Sequence, residues 1–203
     1  MNFPLICCMM KAKLFICTTL LFLVALNLKA QKLDTTVTMN GEGYRVVCSN
    51  KDLDNNYVTL TLVKLPLNNS RQIDFPIKGK VVKAVVDDLN DDGQPDLIIC
   101  WYNGANYEMG NVIGISYSKA DKSIVPIYFP DIYTDPKIRE GYKGYDTFSL
   151  TIGTLMRKFP IYLANDAPDK PTGGIRTVQY NVVSEQGRLK FKVLRTFETQ
   201  PEN

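Results

Sequence analysis

The sequence predicts an all-β protein: an antiparallel β-sandwich or, as the alternative, a closed β-barrel, with one short helical turn. Three observations carry this. The apolar residues come in short runs, and YVTLTLV at 57–63, RTVQYNVV at 176–183 and LKFKVLRTF at 189–197 alternate as half-buried strands of an antiparallel sheet do. Turn signals punctuate the chain at Asn40-Gly41, Leu67-Asn68-Asn69-Ser70, Asp91-Asp92-Gly93, Asn103-Gly104 and Gln186-Gly187. No stretch after residue 30 carries the period of a long amphipathic helix, and many short strands at this spacing suit a sandwich or barrel.

Taken in order, strands are expected at Thr36–Met39, Tyr44–Cys48, Tyr57–Lys64, Gln72–Pro76, Val81–Val86 and Leu97–Tyr102. Six more follow at Val112–Tyr117, Ile124–Tyr128, Thr147–Ile152, Thr154–Phe159, Thr177–Val183 and Leu189–Phe197. Gly153 between two apolar runs marks a hairpin. The helical turn is expected at Asp135–Glu140, where Asp135 caps, Pro136 takes the first helical position and Gly141 stops it. Phe159-Pro160-Ile161-Tyr162, followed by Pro171-Thr172-Gly173-Gly174, reads as a long structured connection between strands. The motif D-x-N-x-D-G occurs once, which counts against a propeller built from such turns.

The first thirty residues have the layout of a secretory signal peptide. Lys11 and Lys13 precede the fifteen-residue apolar run LFICTTLLFLVALNL, short for a membrane span, and cleavage is expected after Ala30. Met9 or Met10 offers an alternative start. Residues 31–203 are then one domain, long enough for a substantial core, in a periplasmic or secreted protein with no membrane span after cleavage. The chain holds 24 Lys+Arg and 21 Asp+Glu; three lysines and no acids lie in residues 1–30, so the mature part has 21 of each and no net formal charge. That balance gives no basic excess for a nucleic-acid surface. Of five cysteines only Cys48 and Cys100 lie beyond the leader, where they can pair in an oxidising compartment or pack as small apolar residues.

There is no histidine. The commonest general base, zinc ligand and triad partner are therefore missing, and two mature cysteines do not make a Cys-rich zinc site. Paired carboxylates could serve a glycosidase, but the acids concentrate on a turn, where solvated charge is the ordinary reading. The protein is read as a binder and not an enzyme.

That turn, DDLNDDGQPDLIICWY at Asp87–Tyr102, places oxygens at alternate positions: Asp88, Asn90, Asp92, Gln94 and Asp96, with Gly93 where a tight loop requires positive φ. These are candidate ligands for Ca2+. The twelfth position, which in an EF-hand carries a bidentate Glu, is Ile99, and strands rather than helices flank the loop. The other reading is that Asp and Asn make Asx-turn hydrogen bonds with no metal, and no cofactor is required. At the far end of the same apolar run comes WYNGANYEMGN at 101–111, with two glycines, three asparagines and two tyrosines. Such a loop can protrude and offer both amide groups and an aromatic face. Asn103, Gly104, Ala105, Asn106 and Tyr107 are its candidate partner-binding residues. Tyr142 and Tyr145, in GYKGYD at 141–146, form a secondary candidate loop.

In order along the chain, DLNDDGQPDLII, the Gly/Asn/Tyr loop, SKADKSIVPIYFPDI, GYKGYDTF, GTLMRKFPIY, PTGGIRTVQYNVV and the final KVLRTFE resemble the bacterial periplasmic inhibitors of invertebrate-type (i-type) lysozyme. The similarity covers most of Val85–Glu198 and rests on order and spacing; residues 31–80 do not match by motif. The resemblance implies a secreted antiparallel β-sandwich, often a homodimer, that blocks lysozyme by inserting a loop into the substrate cleft. In that family the loop is Ser/Gly-rich with a Tyr. Here the stretch is Asn103–Gly110, with Gly104 and Tyr107 in corresponding places, the serines absent and Glu108-Met109 departing from the pattern. Two other classes remain: a calcium-stabilised extracytoplasmic module that binds a carbohydrate or a protein, and a carboxylate-based hydrolase, which requires two acids close together in a cleft.

Overall fold

The computed structural model describes residues 32–67 and 72–200; the expected leader and the Asn68-Asn69-Ser70 part of one turn lie outside them. Strands β1 (Leu33–Met39), β2 (Glu42–Cys48), β3 (Asn56–Val63) and β4 (Gln72–Ile77) form a four-stranded antiparallel meander. The others are β5 (Lys80–Asp87), β6 (Asp96–Asn103), β7 (Met109–Ser118), β8 (Ser123–Tyr128), β9 (Thr147–Thr151), β10 (Thr154–Pro160), β11 (Ile175–Glu185) and β12 (Arg188–Thr199). They build a second, eight-stranded sheet in the order β5-β6-β7-β8-β12-β11-β10-β9. Each expected strand lies within or close to an observed one, because alternation against a buried face leaves its period in the sequence.

One pairing departs from the antiparallel expectation. β12 runs parallel to β8, with Leu189 opposite Ile127 and Lys190 opposite Tyr128. The tight Gln186-Gly187 turn sets the direction of β12 against β11, and the chain between β8 and β9 carries the β9–β11 meander round so that β12 returns beside β8. The connection after β8 contains a 3-10 turn at Ile132–Thr134 that the sequence did not signal. It also contains the expected short helix α1 (Pro136–Arg139), capped by Asp135, whose carboxylate accepts from the Lys137 and Ile138 N–H groups. Arg176 holds the far end of α1: its Nη1 donates to the Ile138 and Glu140 carbonyls at 2.7 and 2.5 Å while its Nη2 pairs with Glu198 at 2.7 Å.

The eight-stranded sheet is nearly closed, so the sandwich and barrel descriptions each capture part of it. Its edge strands β5 and β9 share no ladder. At one end the Gly153 N–H of the β9–β10 hairpin donates to Asp87 Oδ2 at 3.0 Å. At the other, the Tyr102 hydroxyl donates to the Asp146 carbonyl at 3.0 Å.

Two cores result. The inner one lies within the curled sheet and gathers Ile98, Cys100, Leu155, Phe159, Tyr180 and Phe191, among others. The outer one lies between the four-stranded sheet and β5–β7 and includes Tyr44, Val46, Leu60, Leu97, Ile99 and Tyr117. β6 is buried on both faces: Leu97 and Ile99 enter the outer core, Ile98 and Cys100 the inner one. This is why LIIC reads as a continuous apolar run rather than an alternating one, and at about 1.5–3 kcal/mol per large side chain it makes β6 the most heavily anchored strand. It also separates the two cysteines. Cys48 belongs to the outer core and Cys100 to the inner; both are free thiols, and burial pushes the Cys100 thiol up to about 12, so neither is a reactive thiolate.

Where the chain passes from the first sheet to the second, buried Asn50 makes two strand-like bonds with Val81, donating from Nδ2 to its carbonyl (2.8 Å) and accepting from its N–H (3.0 Å). Asn56 donates to the Gly79 carbonyl at 2.9 Å. Two tyrosines fasten the layers: Tyr44 donates to the Pro95 carbonyl at 2.8 Å and Tyr117 to the Pro66 carbonyl at 2.6 Å.

Candidate functional site

β6 begins at Asp96 and ends at Asn103, so the two stretches singled out in the sequence sit at its opposite ends. At the Asn103 end, residues Asn103, Gly104, Ala105, Asn106 and Tyr107 are all exposed, and Tyr107 retains 45% of its surface. The tip is nonetheless held by its own bonds. The Tyr107 N–H donates to the Gly104 carbonyl at 3.3 Å, and the Asn106 N–H donates to Glu108 Oε2 at 2.8 Å. Glu108 therefore turns inward and serves as a brace. Gly104 has φ +93°, which favours glycine, and a Cβ there would stand 2.6 Å from the Glu108 carboxylate and displace it. Tyr107 itself has φ 57°, the left-handed region, which a bulky residue occupies only where the surroundings impose it.

The base of the loop is built on a buried ion pair. Arg157 Nε donates to Asp146 Oδ1 at 2.6 Å, with both side chains almost wholly removed from solvent. The Gly110 N–H and the Tyr142 hydroxyl donate to Asp146 Oδ2 at 2.8 and 2.6 Å. Arg157 Nη2 donates to the Gly110 carbonyl and the Tyr142 hydroxyl at 3.3 and 3.0 Å. The guanidinium lies 5.2–5.8 Å from the ring centroids of Tyr142, Phe129, Phe148 and Phe159. Burial works against its charge, but the adjacent Asp146 carboxylate overrides it and holds the Arg157 pKa above the ordinary arginine value. Burial, with Asp146 beside it, likewise raises the Tyr142 hydroxyl, which stays protonated and donating.

This network sets Tyr142 apart from the exposed candidates and brings the two candidate loops together. Tyr142 is half-buried and its hydroxyl is committed inside the network, so it supports the site rather than presenting itself. Tyr145 is 48% exposed, has φ 63°, and donates its N–H to the Glu108 carbonyl at 2.5 Å. The primary loop and the secondary loop are thus one surface, with Tyr107 and Tyr145 both held in left-handed backbone conformations. A cleft of about 170 Å3 beside them is lined by residues including Asn103, Asp131, Tyr133 and Tyr142. It is smaller than the roughly 300–1,000 Å3 of an ordinary small-molecule pocket, so this face presents side chains more than it receives a ligand. Asp146 and Arg157 were not picked out from the sequence, yet a signal existed. Arg157 shares the inward parity of Leu155 and Phe159 in TLMRKFP, and a charge on a buried face needs a partner.

At the Asp96 end, the turn is organised by its own side chains. Asp88 accepts from the Asp92 and Gly93 N–H groups at 3.0 and 2.8 Å, Asn90 Oδ1 from Asp92 N–H at 3.2 Å, and Asp92 Oδ1 from Gln94 N–H at 2.8 Å. Asn90 Nδ2 donates to Asp92 Oδ2 at 2.9 Å, and Gln94 folds its amide onto the Gly93 carbonyl at 3.1 Å. These are the Asx-turn bonds of the metal-free reading. Asp96 differs: it is fully buried, Oδ2 accepts from the Leu89 N–H at 2.8 Å, and Oδ1 has no hydrogen-bond partner. Burial pushes its pKa up to about 6 against the pull of Ser116 and the Leu89 N–H, with Asp92 and Asp88 adding to the rise.

No family model matches the chain, and no curated protein matches it at a significant level.

Proposed function

We propose that this protein is an exported, lysozyme inhibitor-like binder that acts through the Asn103–Tyr107 loop, with an invertebrate-type lysozyme as its target. The observation that carries the reading is the combination at that loop: an exposed tip on a buried, hydrogen-bonded base. Such a tip loses little conformational freedom on docking, which is how a short loop reaches useful affinity. A lysozyme cleft carries two carboxyl groups flanking the sugar bond. The Asn103 and Asn106 amides would donate to them in charge-assisted bonds, with the Tyr107 ring in a sugar-like stacking place. Tyr145 would extend the contact, since it stands beside the Glu108 carbonyl. The lysine-flanked apolar run in residues 1–30 supports export to the periplasm or beyond. Among the described residues no helix is long and apolar enough to cross a membrane.

The test is a titration of purified protein from residue 31 onward against lysozymes of the invertebrate, chicken and goose types. Selective, stoichiometric inhibition of the invertebrate type is the expected outcome. Folded protein that inhibits none at micromolar concentration would assign the loop to another partner. The second reading, a calcium-stabilised module for a carbohydrate or protein, is favoured by a different observation: the unpartnered oxygen of Asp96.

A further inference from the structure

At the start of β6 four carboxylates, Asp88, Asp91, Asp92 and Asp96, occur within nine residues, and Asp88, Asn90, Asp92 and Asp96 place oxygens an even number of residues apart. Acidic residues on a turn do not make a site, because water solvates them and main-chain N–H groups bind them, as happens here to Asp88 and Asp92. Asp96 cannot be described that way. It is fully buried, Oδ2 accepts from the Leu89 N–H of the loop, and Oδ1 makes no well-aligned hydrogen bond among the described residues, with the Ser116 hydroxyl nearby. Leaving a buried carboxylate oxygen unpaired is costly, and proteins retain such a group where a cation or another donor completes it.

The surroundings define which cation fits. Lys83 lies on the neighbouring strand, but Asp96 has Asp87 as its cross-strand neighbour on β5, and its other near polar groups are Ser116 and the Tyr44 hydroxyl, which is spent on Pro95. Asp87 is itself committed to the Asp88 and Gly153 N–H groups. No protein ammonium or guanidinium group is recorded in a salt bridge with Asp88, Asp92 or Asp96 among the described residues. The donors are all oxygens, three of them anionic, on a loop of mixed Asx turns whose exposed members can swing; carboxylates that accept from N–H groups keep lone pairs for a metal. Among the described residues no three acidic groups stand gathered as a cage, so ligation at this turn requires Asp88 and Asp92 to move toward Asp96. A flexible oxygen set of this kind suits calcium better than magnesium, which demands a near-ideal octahedron.

We propose that the Asp88–Asp96 turn is a Ca2+ site in which the buried Asp96 Oδ1 is the fixed ligand and Asp88, Asn90 and Asp92 fold onto the ion from the exposed side. The ion would lock the start of β6, the strand shared by both cores, and would do so independently of any lysozyme binding at the other end.

The experiment is thermal unfolding of chelator-treated protein from residue 31 onward, with added Ca2+ or Mg2+, alongside isothermal titration. Calcium at about one hundred times its Kd should raise Tm by about 5–10 °C, with Mg2+ giving much less. Asp92→Asn, at an exposed position, should leave the metal-free Tm unchanged and weaken Ca2+ binding by about tenfold or more. Asp96→Asn should abolish the calcium shift. No calcium-dependent shift and no heat of binding up to about 10 mM, beyond the weakest extracellular calcium modules, would overturn the proposal. So would a shift that persists undiminished in Asp96→Asn or in Asp92→Asn.

Discussion

The two ends of β6 each rest on a buried carboxylate, and the two are treated oppositely. Asp146, beneath the Asn103–Tyr107 loop, meets a guanidinium, a main-chain N–H and a tyrosine hydroxyl, and both of its oxygens are satisfied. Asp96, beneath the acidic turn, accepts from one main-chain N–H and has the Ser116 hydroxyl beside it, while Oδ1 makes no well-aligned hydrogen bond. The first end is complete as the chain folds; it is a rigid pedestal for whatever the tip contacts. The second forms no salt bridge among the described residues, and its carboxylates are met by N–H and hydroxyl groups alone. A buried charge that is paired specifies one geometry, whereas an unpaired one is a cost until something arrives to meet it.

Breaking the complete end should have the largest effect. Asp146→Ala leaves Arg157 buried and uncompensated among four aromatic rings, and should lower the unfolding free energy by about 3–5 kcal/mol in urea titrations. An effect below about 1 kcal/mol would mean that water reaches Arg157 and that the base is looser than its bonds suggest. Tyr107→Ala sharpens the contrast between base and tip. It should weaken binding to the target lysozyme by about 2 kcal/mol while stability stays within about 0.5 kcal/mol, since the ring makes no buried contact. Unchanged inhibition would move the binding surface away from the tip.

Gly104→Ala asks whether the tip conformation matters apart from its side chains. A Cβ there meets the Glu108 carboxylate at a positive φ, so about 1 kcal/mol of stability should be lost and inhibition should weaken although no contacting group has been removed. At the other end the sign should reverse. In chelator, Asp96→Asn removes a buried unpaired charge and keeps an oxygen for Leu89, so a gain of about 1 kcal/mol is expected by chemical denaturation. A loss would show that the Asp96 charge is matched by a group in the folded protein, and would make the two ends alike.

Much of the architecture could be read in advance. YVTLTLV, RTVQYNVV and LKFKVLRTF each bury one face, and a buried face imposes a period of two on the residues that supply it. Ile152-Gly153 and Gln186-Gly187 turn where positive φ is needed. Asp135-Pro136 opens a helical turn because its cap and its proline act on adjacent residues. The loop candidates were legible for the same local reason, since glycine, asparagine and tyrosine in an apolar context mark an exposed bend.

The sequence by itself therefore determined the strands, the short helix, the described turns between strands and the two loops at the ends of β6, because each of these depends on residues within a few positions of one another. Tertiary structure alone decided how they combine. It curled eight strands nearly shut, brought β12 parallel to β8, and gave β6 two cores to fill. It bonded Tyr145 to Glu108 at the foot of the Tyr107 loop, drew Tyr142 inward, paired Arg157 with Asp146 and left one oxygen of Asp96 without a hydrogen bond. Those outcomes depend on groups far apart in the chain, from Asp146 and Arg157 to Ile127 and Leu189, and whether a buried charge is answered is a property of the space around it rather than of its neighbours in the chain.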